Sequence, residues 1–282
     1  DTPGLTIVAR PAGRPGESGA LFSARYGQTT GLCLFDKVFV PWKHVFLCGE
    51  WMHVDHLTKS YATHHRHTCI GARAGFGDLL IGAGALMIEA NGLSMTGNVN
   101  LRDTMVELIK VVEGFYACGV AASVYGTEES AGNTMPEPVY ANIGKLLLAN
   151  QIYDMHRLAH TVSGGLIVTL PLPEDDHNPE TGPDLALVLQ GRPDVSYERR
   201  ASVARFIEDI TATDAGGWMS VISLHGGGSP EAMKSEIHRR YPIPERRKLV
   251  ERLIERGIAS ESSNRSTAQQ PGQCCDTGCT KE

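Results

Sequence analysis

The chain has no uninterrupted apolar run of about 18 residues, so the sequence predicts no membrane-spanning helix. It lacks an excess of basic residues: 26 Lys and Arg stand against 32 Asp and Glu, for a net charge of −6. A broad basic surface is therefore not expected, which argues against nucleic acid as the partner. The 31 glycines follow no G-X-Y period, which excludes a collagen-like chain. Three motifs are missing as well. No G-x-G-x-x-G follows a strand, no G-x-S-x-G elbow is present and no H-E-x-x-H occurs, so a Rossmann dehydrogenase, an α/β-hydrolase and a zincin are disfavoured. The opening DTPGLTIVAR has neither a basic n-region nor a long apolar h-region, so no secretory leader is read there. It also has no initiator Met and reads at once as a strand, which predicts a start inside a domain.

Cysteine is sparse, at seven in 282 residues. Cys33, Cys48, Cys69 and Cys118 are scattered and read as reduced structural thiols of a cytoplasmic protein. Cys274, Cys275 and Cys279 cluster in a polar tail whose spacing is not that of a zinc site.

Hydrophobic residues make up 41% of the chain, enough for a sizeable core. Residues 1–50 read as β-rich: LTIVAR, LFSARY and GLCLFDKVFVP are separated by Gly/Pro turns. Helical patterns follow from about Trp51. GDLLIGAGALMIEANG reads as a buried helix ending at Asn91-Gly92, with Gly82, Ala83, Gly84 and Ala85 allowing close helix approach. Apolar residues recur with a 3.6-residue period over about Leu101–Ser123, Pro138–Val162 and Ser196–Thr211. Four long helices in series predict an antiparallel bundle over 51–258. The segment 171–184 is expected to be an exposed loop, and 259–282 a disordered tail.

Three constellations can carry chemistry. In Thr63-His64-His65-Arg66-His67-Thr68-Cys69, His64 and His67 are three apart, and His65 and Cys69 four apart, so each pair can share a helix face. Ser163-Gly164-Gly165 ends a long helix as a C-cap, or lets backbone approach a flat ligand closely. His225-Gly226-Gly227-Gly228-Ser229-Pro230-Glu231 feeds a helix with Ser229 as N-cap and Pro230 at N1, a geometry that also suits an anion.

Taken in order, the blocks GLCLFDKVFVPWKHVFLCGEW, HHRHTCIGARAGFGDLLIGAGALMIEANG, ANIGKLLLANQIYDMHRLAHTVSGGLIVTLP and SLHGGGSPEAMK resemble the 4-hydroxyphenylacetate 3-hydroxylase family. The resemblance covers about Leu5–Ile258, and within the family it is closer to the 4-hydroxybutyryl-CoA dehydratase/vinylacetyl-CoA isomerase branch. It implies an α+β, acyl-CoA dehydrogenase-like fold: part of the middle β domain over 1–50, then a mainly helical C-terminal four-helix bundle. It implies FAD between the two, closed over by a neighbouring subunit, hence a homotetramer, a dimer of dimers. Gly164-Gly165 matches the glycine turn that approaches FAD, with Ser163, Asn142 and Lys145 as further cofactor-binding candidates.

In the dehydratase branch a [4Fe-4S] cluster takes one histidine, matched here by His65 of the His65-Arg66 pair, which is also the base on the substrate. The cluster cysteine seven residues later is Ala72 here, and a methyl group cannot replace an iron thiolate. Cys69 stands where the family has tyrosine, Arg73 where it has lysine, and Ile222 and Thr30 where it has acidic residues. His65 and Arg73 are the catalytic candidates, and His65 and Cys69 the metal candidates. The resemblance implies a flavin-dependent lyase/isomerase of a short acyl-CoA. The alternatives are an FAD-dependent phenol hydroxylase and a paralogue that has kept the fold and lost the chemistry. In either enzyme the partners are a small-molecule substrate and further copies of the chain, with neither nucleic acid nor a membrane.

Overall fold

The structure is a computed structural model that describes residues 2–11 and 21–267. Cys274, Cys275 and Cys279, and with them most of the predicted tail, lie outside the described residues. The chain divides into two compact units, Asp1–Arg239 and Arg240–Glu282.

The first unit opens with an antiparallel pair, β1 (Leu5–Arg10) and β2 (Thr30–Phe35), in register from Leu5 opposite Phe35 to Arg10 opposite Thr30. Both strands were expected. Between them LFSARY is a helix, α1 (Leu21–Tyr26), and not the strand that its composition predicts. The cause is non-local. The buried Asp209 carboxylate accepts the Phe22 and Ser23 amides at 2.9 and 2.8 Å and the Ser23 hydroxyl at 2.5 Å, which satisfies the donors of a helix start.

Four long helices make the body: α2 (Val54–Ala90), α3 (Val99–Val124), α4 (Pro138–Ser163) and α8 (Tyr197–Thr211). The predicted ends of α3, α4 and α8 hold to within two residues because the caps are local. Asn98 accepts from the Leu101 amide, Glu137 from the Tyr140 amide, and Ser196 from the Arg199 amide. The His-rich start and the buried GDLLIGAGALMIEA segment merge into the single 37-residue α2. By length and composition α2 with its lead-in, Trp51–Ala90, is long and apolar enough to cross a membrane, although the sequence has no unbroken apolar run. Packing against the other helices buries 39% of its most apolar window.

Close contacts fix the directions. A Cβ on Gly119 would lie 2.8 Å from Ile70, and one on Gly77 2.4 Å from Val112, so α3 runs antiparallel to α2. Gly144 abuts Ile70 and Gly84 abuts Val162, so α4 runs parallel to α2. Ala83 and Met87 pack with Val203, Ala204 and Ile207, while the Arg200 guanidinium donates to Asn91, so α8 returns antiparallel. Ile70, Leu80, Leu108, Phe115, Leu148 and Ile152 form the central core.

A two-residue-stranded hairpin, β3 (Thr127–Glu128) and β4 (Thr134–Met135), joins α3 to α4. Short helices α5 (Leu166–Thr169), α6 (Pro173–Asp176) and α7 (Gly182–Val188) follow α4. The last two occupy the segment predicted to be a loop. They are pinned by Asp176, which pairs with Arg205 at 2.7 Å and accepts from the Tyr197 hydroxyl. Helices α9 (Asp214–His225) and α10 (Pro230–Arg240) complete the first unit. In the second unit, α11 (Ile243–Thr267) carries helix through 259–267, where the polar sequence predicted none.

Candidate active site

The first half of α2 faces α4 and the end of α9. His65 and Cys69, one turn apart, meet on one face with Nδ1 and Sγ 3.5 Å apart. His67, by contrast, turns to α3, where Nε2 meets the Gly119 carbonyl and the Ser123 hydroxyl at 3.1 and 3.0 Å. His64 is exposed, so the histidine-rich tract splits between faces and is not one site.

Three cations converge on the end of α9. Arg66 Nε donates to the Gly227 carbonyl at 2.8 Å, and its Nη1 donates to Asn142 Oδ1 at 2.6 Å. Arg73 Nε donates to the Ser223 hydroxyl at 2.7 Å. Lys145 Nζ donates to the Ser223 carbonyl at 2.5 Å. These groups satisfy acceptors at the negative end of the helix and in the loop beyond it. Lys145 is fully buried, and that burial, with repulsion from Arg73 and Arg66 against attraction from Cys69, pushes its pKa down to about 8. Burial also lowers the Arg66 and Arg73 values, opposed by Glu236 and Cys69 respectively.

The glycine loop after α9 fits against this cluster only without side chains. Gly227 has φ +80°, and a Cβ there would lie 2.8 Å from His65 Nδ1. The Ser229 hydroxyl accepts from the Ala232 amide at 3.3 Å, the N-cap read from the sequence.

Ala72 and Arg73 line a cavity of about 330 Å³. Its walls include Phe22 and Tyr26 of α1, Phe76 of α2 and Trp218 of α9. Of the polar wall atoms, the Ser23 hydroxyl is taken by Asp209. No carboxylate lines the cavity among the described residues.

Ser163, Gly164 and Gly165 lie at the far end of α4, with Gly164 about 29 Å from Lys145 at the α-helical rise. The structure therefore does not bring them together with His65, Asn142 and Lys145. The Ser163 hydroxyl donates to the Ala159 carbonyl, and Asn142 is fully buried with both ends of its amide bonded, to Arg66 and to the Pro138 carbonyl. Gly164 has φ +75°, and a Cβ on either glycine would meet nothing within 4 Å. That turn is open on its outer side, as a flat ligand requires.

Sequence reading passed over Arg66 as a clamp, Ser223, Asp209 and Trp218, whose partners are remote in sequence. It also passed over His156. This buried imidazole has Nδ1 3.2 Å from the Ser220 hydroxyl, which itself donates to the Gly216 carbonyl; the ring packs on Phe76, and Nε2 has no partner among the described residues. Burial, reinforced by His160, holds its pKa down to about 4. Among the described residues no three His, Cys, Asp or Glu side chains are placed to hold a metal.

Residues 54–255 match the C-terminal domain of 4-hydroxyphenylacetate 3-hydroxylase. The chain belongs to the 4-hydroxyphenylacetate 3-hydroxylase family. It is 32% identical over 242 residues to the 4-hydroxybutyryl-CoA dehydratase/vinylacetyl-CoA Δ-isomerase of Clostridium aminobutyricum, covering 83% of this chain and 49% of that protein. It is 26% identical over 247 residues to the oxygenase component of the Thermus thermophilus 4-hydroxyphenylacetate 3-monooxygenase, covering 85% and 50%. Among solved structures, an oxygen-tolerant archaeal 4-hydroxybutyryl-CoA dehydratase from N. maritimus superposes with a TM-score of 0.83 at 30% identity, over 90% of this chain and 51% of that one. The oxygenase component of 4-hydroxyphenylacetate 3-monooxygenase, complexed with FAD and 4-hydroxyphenylacetate, gives 0.80 at 21% identity over 92% and 54%, a likeness of fold. The chain spans about half the length of these relatives. The fold is the mainly helical, acyl-CoA dehydrogenase-like one that the family resemblance implies.

Proposed function

We propose that this chain forms the C-terminal, four-helix-bundle part of a flavin-dependent lyase/isomerase acting on a short acyl-CoA, of the 4-hydroxybutyryl-CoA dehydratase/vinylacetyl-CoA isomerase type. The observation that carries it is the His65 environment. The His65-Arg66 pair, the glycine loop packed on His65, and the Ala72–Arg73 cavity occur together in a chain 32% identical to that dehydratase.

FAD is the group the family implies. The open Gly164-Gly165 turn fits a flat ring system, and Ser163, Gly164 and Gly165 are the residues that would hold it. When bound, FAD supplies electron transfer to and from the substrate. Asn142 and Lys145 belong in this reading to the cation cluster, since their polar atoms are bonded within it. The chain's own residues handle the proton and the charge. Nδ1 of His65 faces Cys69, so Nε2 is the atom that takes a proton from the substrate carbon. Arg66 holds the loop that packs on that ring, and Arg73 and Lys145 set a positive field for the carbanion that proton removal leaves. The [4Fe-4S] group implied by the resemblance does not fit, because Ala72 turns a methyl group to an apolar cavity and offers iron no thiolate. No step is derived through it.

The same substitution favours a second reading, an FAD-dependent oxygenase component that hydroxylates a phenol. A homo-oligomer is the assembly that the family resemblance implies in either case. The test is to purify the full-length protein without oxygen, titrate it with FAD, and assay 4-hydroxybutyryl-CoA and vinylacetyl-CoA. Flavin binding with turnover of either thioester is the expected result. Flavin binding with O₂-dependent hydroxylation of 4-hydroxyphenylacetate and no thioester turnover would replace the first reading with the second.

A further inference from the structure

We propose that His156 and His160 bind one divalent transition-metal ion, of the class that prefers imidazole, in the groove between α4 and α9. The two residues stand one turn apart on α4, so their side chains share a face. Both line a groove of about 670 Å³, together with Thr211 of α8 and Gly217 and Ser220 of α9. None of His65, Arg73 and Lys145 lines it, so it is separate from the candidate active site.

The hydrogen bonds fix which nitrogen of each ring is free. The Ser220 hydroxyl donates its proton to the Gly216 carbonyl at 3.0 Å, so towards His156 it can only accept. The proton of that imidazole is therefore on Nδ1, and Nε2 carries a bare lone pair. The Thr211 hydroxyl likewise donates to the Ile207 carbonyl. It accepts from His160 Nε2 at 2.8 Å and leaves Nδ1 bare. His156 is 6% exposed, and its Nε2 has no partner among the described residues. A buried acceptor left in that state is one that an ion satisfies. His160 Nδ1 makes no hydrogen bond to the described residues either.

Each ring thus has the two features of a metal ligand. One nitrogen is free, and the other donates to an oxygen that is itself anchored. Burial disfavours the charged form of both rings, and neutral imidazole is the form that binds metal. No carboxylate lines the groove among the described residues, and Arg157 on its rim pairs with Asp154 at 3.3 Å. Nitrogen donors without carboxylates select Zn²⁺, Cu²⁺ or Ni²⁺ over Mg²⁺ or Ca²⁺. A Cβ on Gly217 would meet nothing within 4 Å, so the groove has room for water to complete the coordination.

The test is a calorimetric titration of the full-length, chelator-treated protein with Zn²⁺, with Mg²⁺ as control. Cys274, Cys275 and Cys279 are replaced by serine to remove competing thiols. Saturable binding of one Zn²⁺ per chain is expected, with none of Mg²⁺. His160→Gln, at a half-buried position, is expected to weaken it at least about tenfold while melting close to wild type, and His156→Gln to do the same. Thr211→Val keeps the side-chain shape, removes the oxygen that orients His160, and is expected to cost about tenfold. The electron paramagnetic resonance spectrum of the Cu²⁺ form is expected to show two imidazole nitrogens, and one in either histidine variant. Zn²⁺ binding that His160→Gln leaves unchanged, sulfur ligation in the copper spectrum, or no saturable binding would overturn the proposal. None of these readouts depends on the acyl-CoA reading.

Discussion

Replacing Asp209 with alanine tests how the cavity wall is held. The carboxylate is 1% exposed and accepts three donors from α1: the Phe22 amide, the Ser23 amide and the Ser23 hydroxyl. Hydrogen bonds to a charged acceptor are worth about 1.5–3 kcal/mol each, so the three together hold roughly 5–9 kcal/mol before the cost of burying the charge. Phe22 adds its burial and an edge-to-face contact with Phe206 at 5.2 Å, together about 2–4 kcal/mol. Against this stands the ordering of six residues, roughly 6–12 kcal/mol. The net docking energy of α1 is thus a small difference. The variant cannot lose more than that difference, because α1 detaches first. The expected result for Asp209→Ala is a loss of about 1 kcal/mol in urea denaturation. It comes with an unchanged core and loss of amide exchange protection confined to residues 22–27. Measured by hydrogen exchange with mass spectrometry, a protected α1 together with a stability loss below about 0.5 kcal/mol would refute the argument.

Three further outcomes follow from the packing and the charges. Gly77→Ala would place a methyl 2.4 Å from Val112, so it is expected to lose about 1–3 kcal/mol by thermal melting despite its better helix propensity, with Val112→Ala restoring most of it. The pKa of His156 in the fold, about 4, lies below its unfolded value of 6.5, so the unfolded state binds more protons between these values and stability falls as pH drops through that window. Urea curves at pH 7 and 4.5 are expected to differ by about 2.5 kcal/mol from this group, and His156→Leu should not show that part of the difference. The pKa of Lys145 falls from 10.5 to about 8 in the fold, so its contribution rises with pH from 8 to 10.5, by about 3 kcal/mol in all; a Lys145→Met protein with the same rise would contradict the buried position.

The long helices are legible in the sequence because their signals are local. Periodic apolar residues fix the faces of α3, α4 and α8, and Asn98, Glu137 and Ser196 mark their starts within one turn. LFSARY is misread for the opposite reason. The Asp209 carboxylate that starts the helix stands 186 residues from Ser23, and nothing within the six residues announces it. The loop reading of 171–184 fails similarly, since Asp176 finds Arg205 and Tyr197 only once α8 has folded back. At the site, the His65–Cys69 pair follows from a four-residue spacing on α2. The Arg73–Ser223 and Arg66–Asn142 bonds join residues 150 and 76 apart, and no periodicity encodes either.

The same distant bonds bear on why three cations collect where relatives are expected to place an acidic residue. Ile222 brings no carboxylate to the end of α9, so the cations take what the backbone and Ser223 offer there. Each such acceptor is a dipole rather than a full charge. It satisfies a donor geometrically without cancelling the positive field. The Lys145 pKa is depressed first by burial, with repulsion from Arg73 and Arg66 set against attraction from Cys69. A fold that needed only a capped helix would do so with one cation at the surface. In the proposed reading, three cations, one of them fully buried, would stabilise a state in which negative charge develops beside them. The cavity wall at Arg73 is where that field reaches space that a ligand can enter.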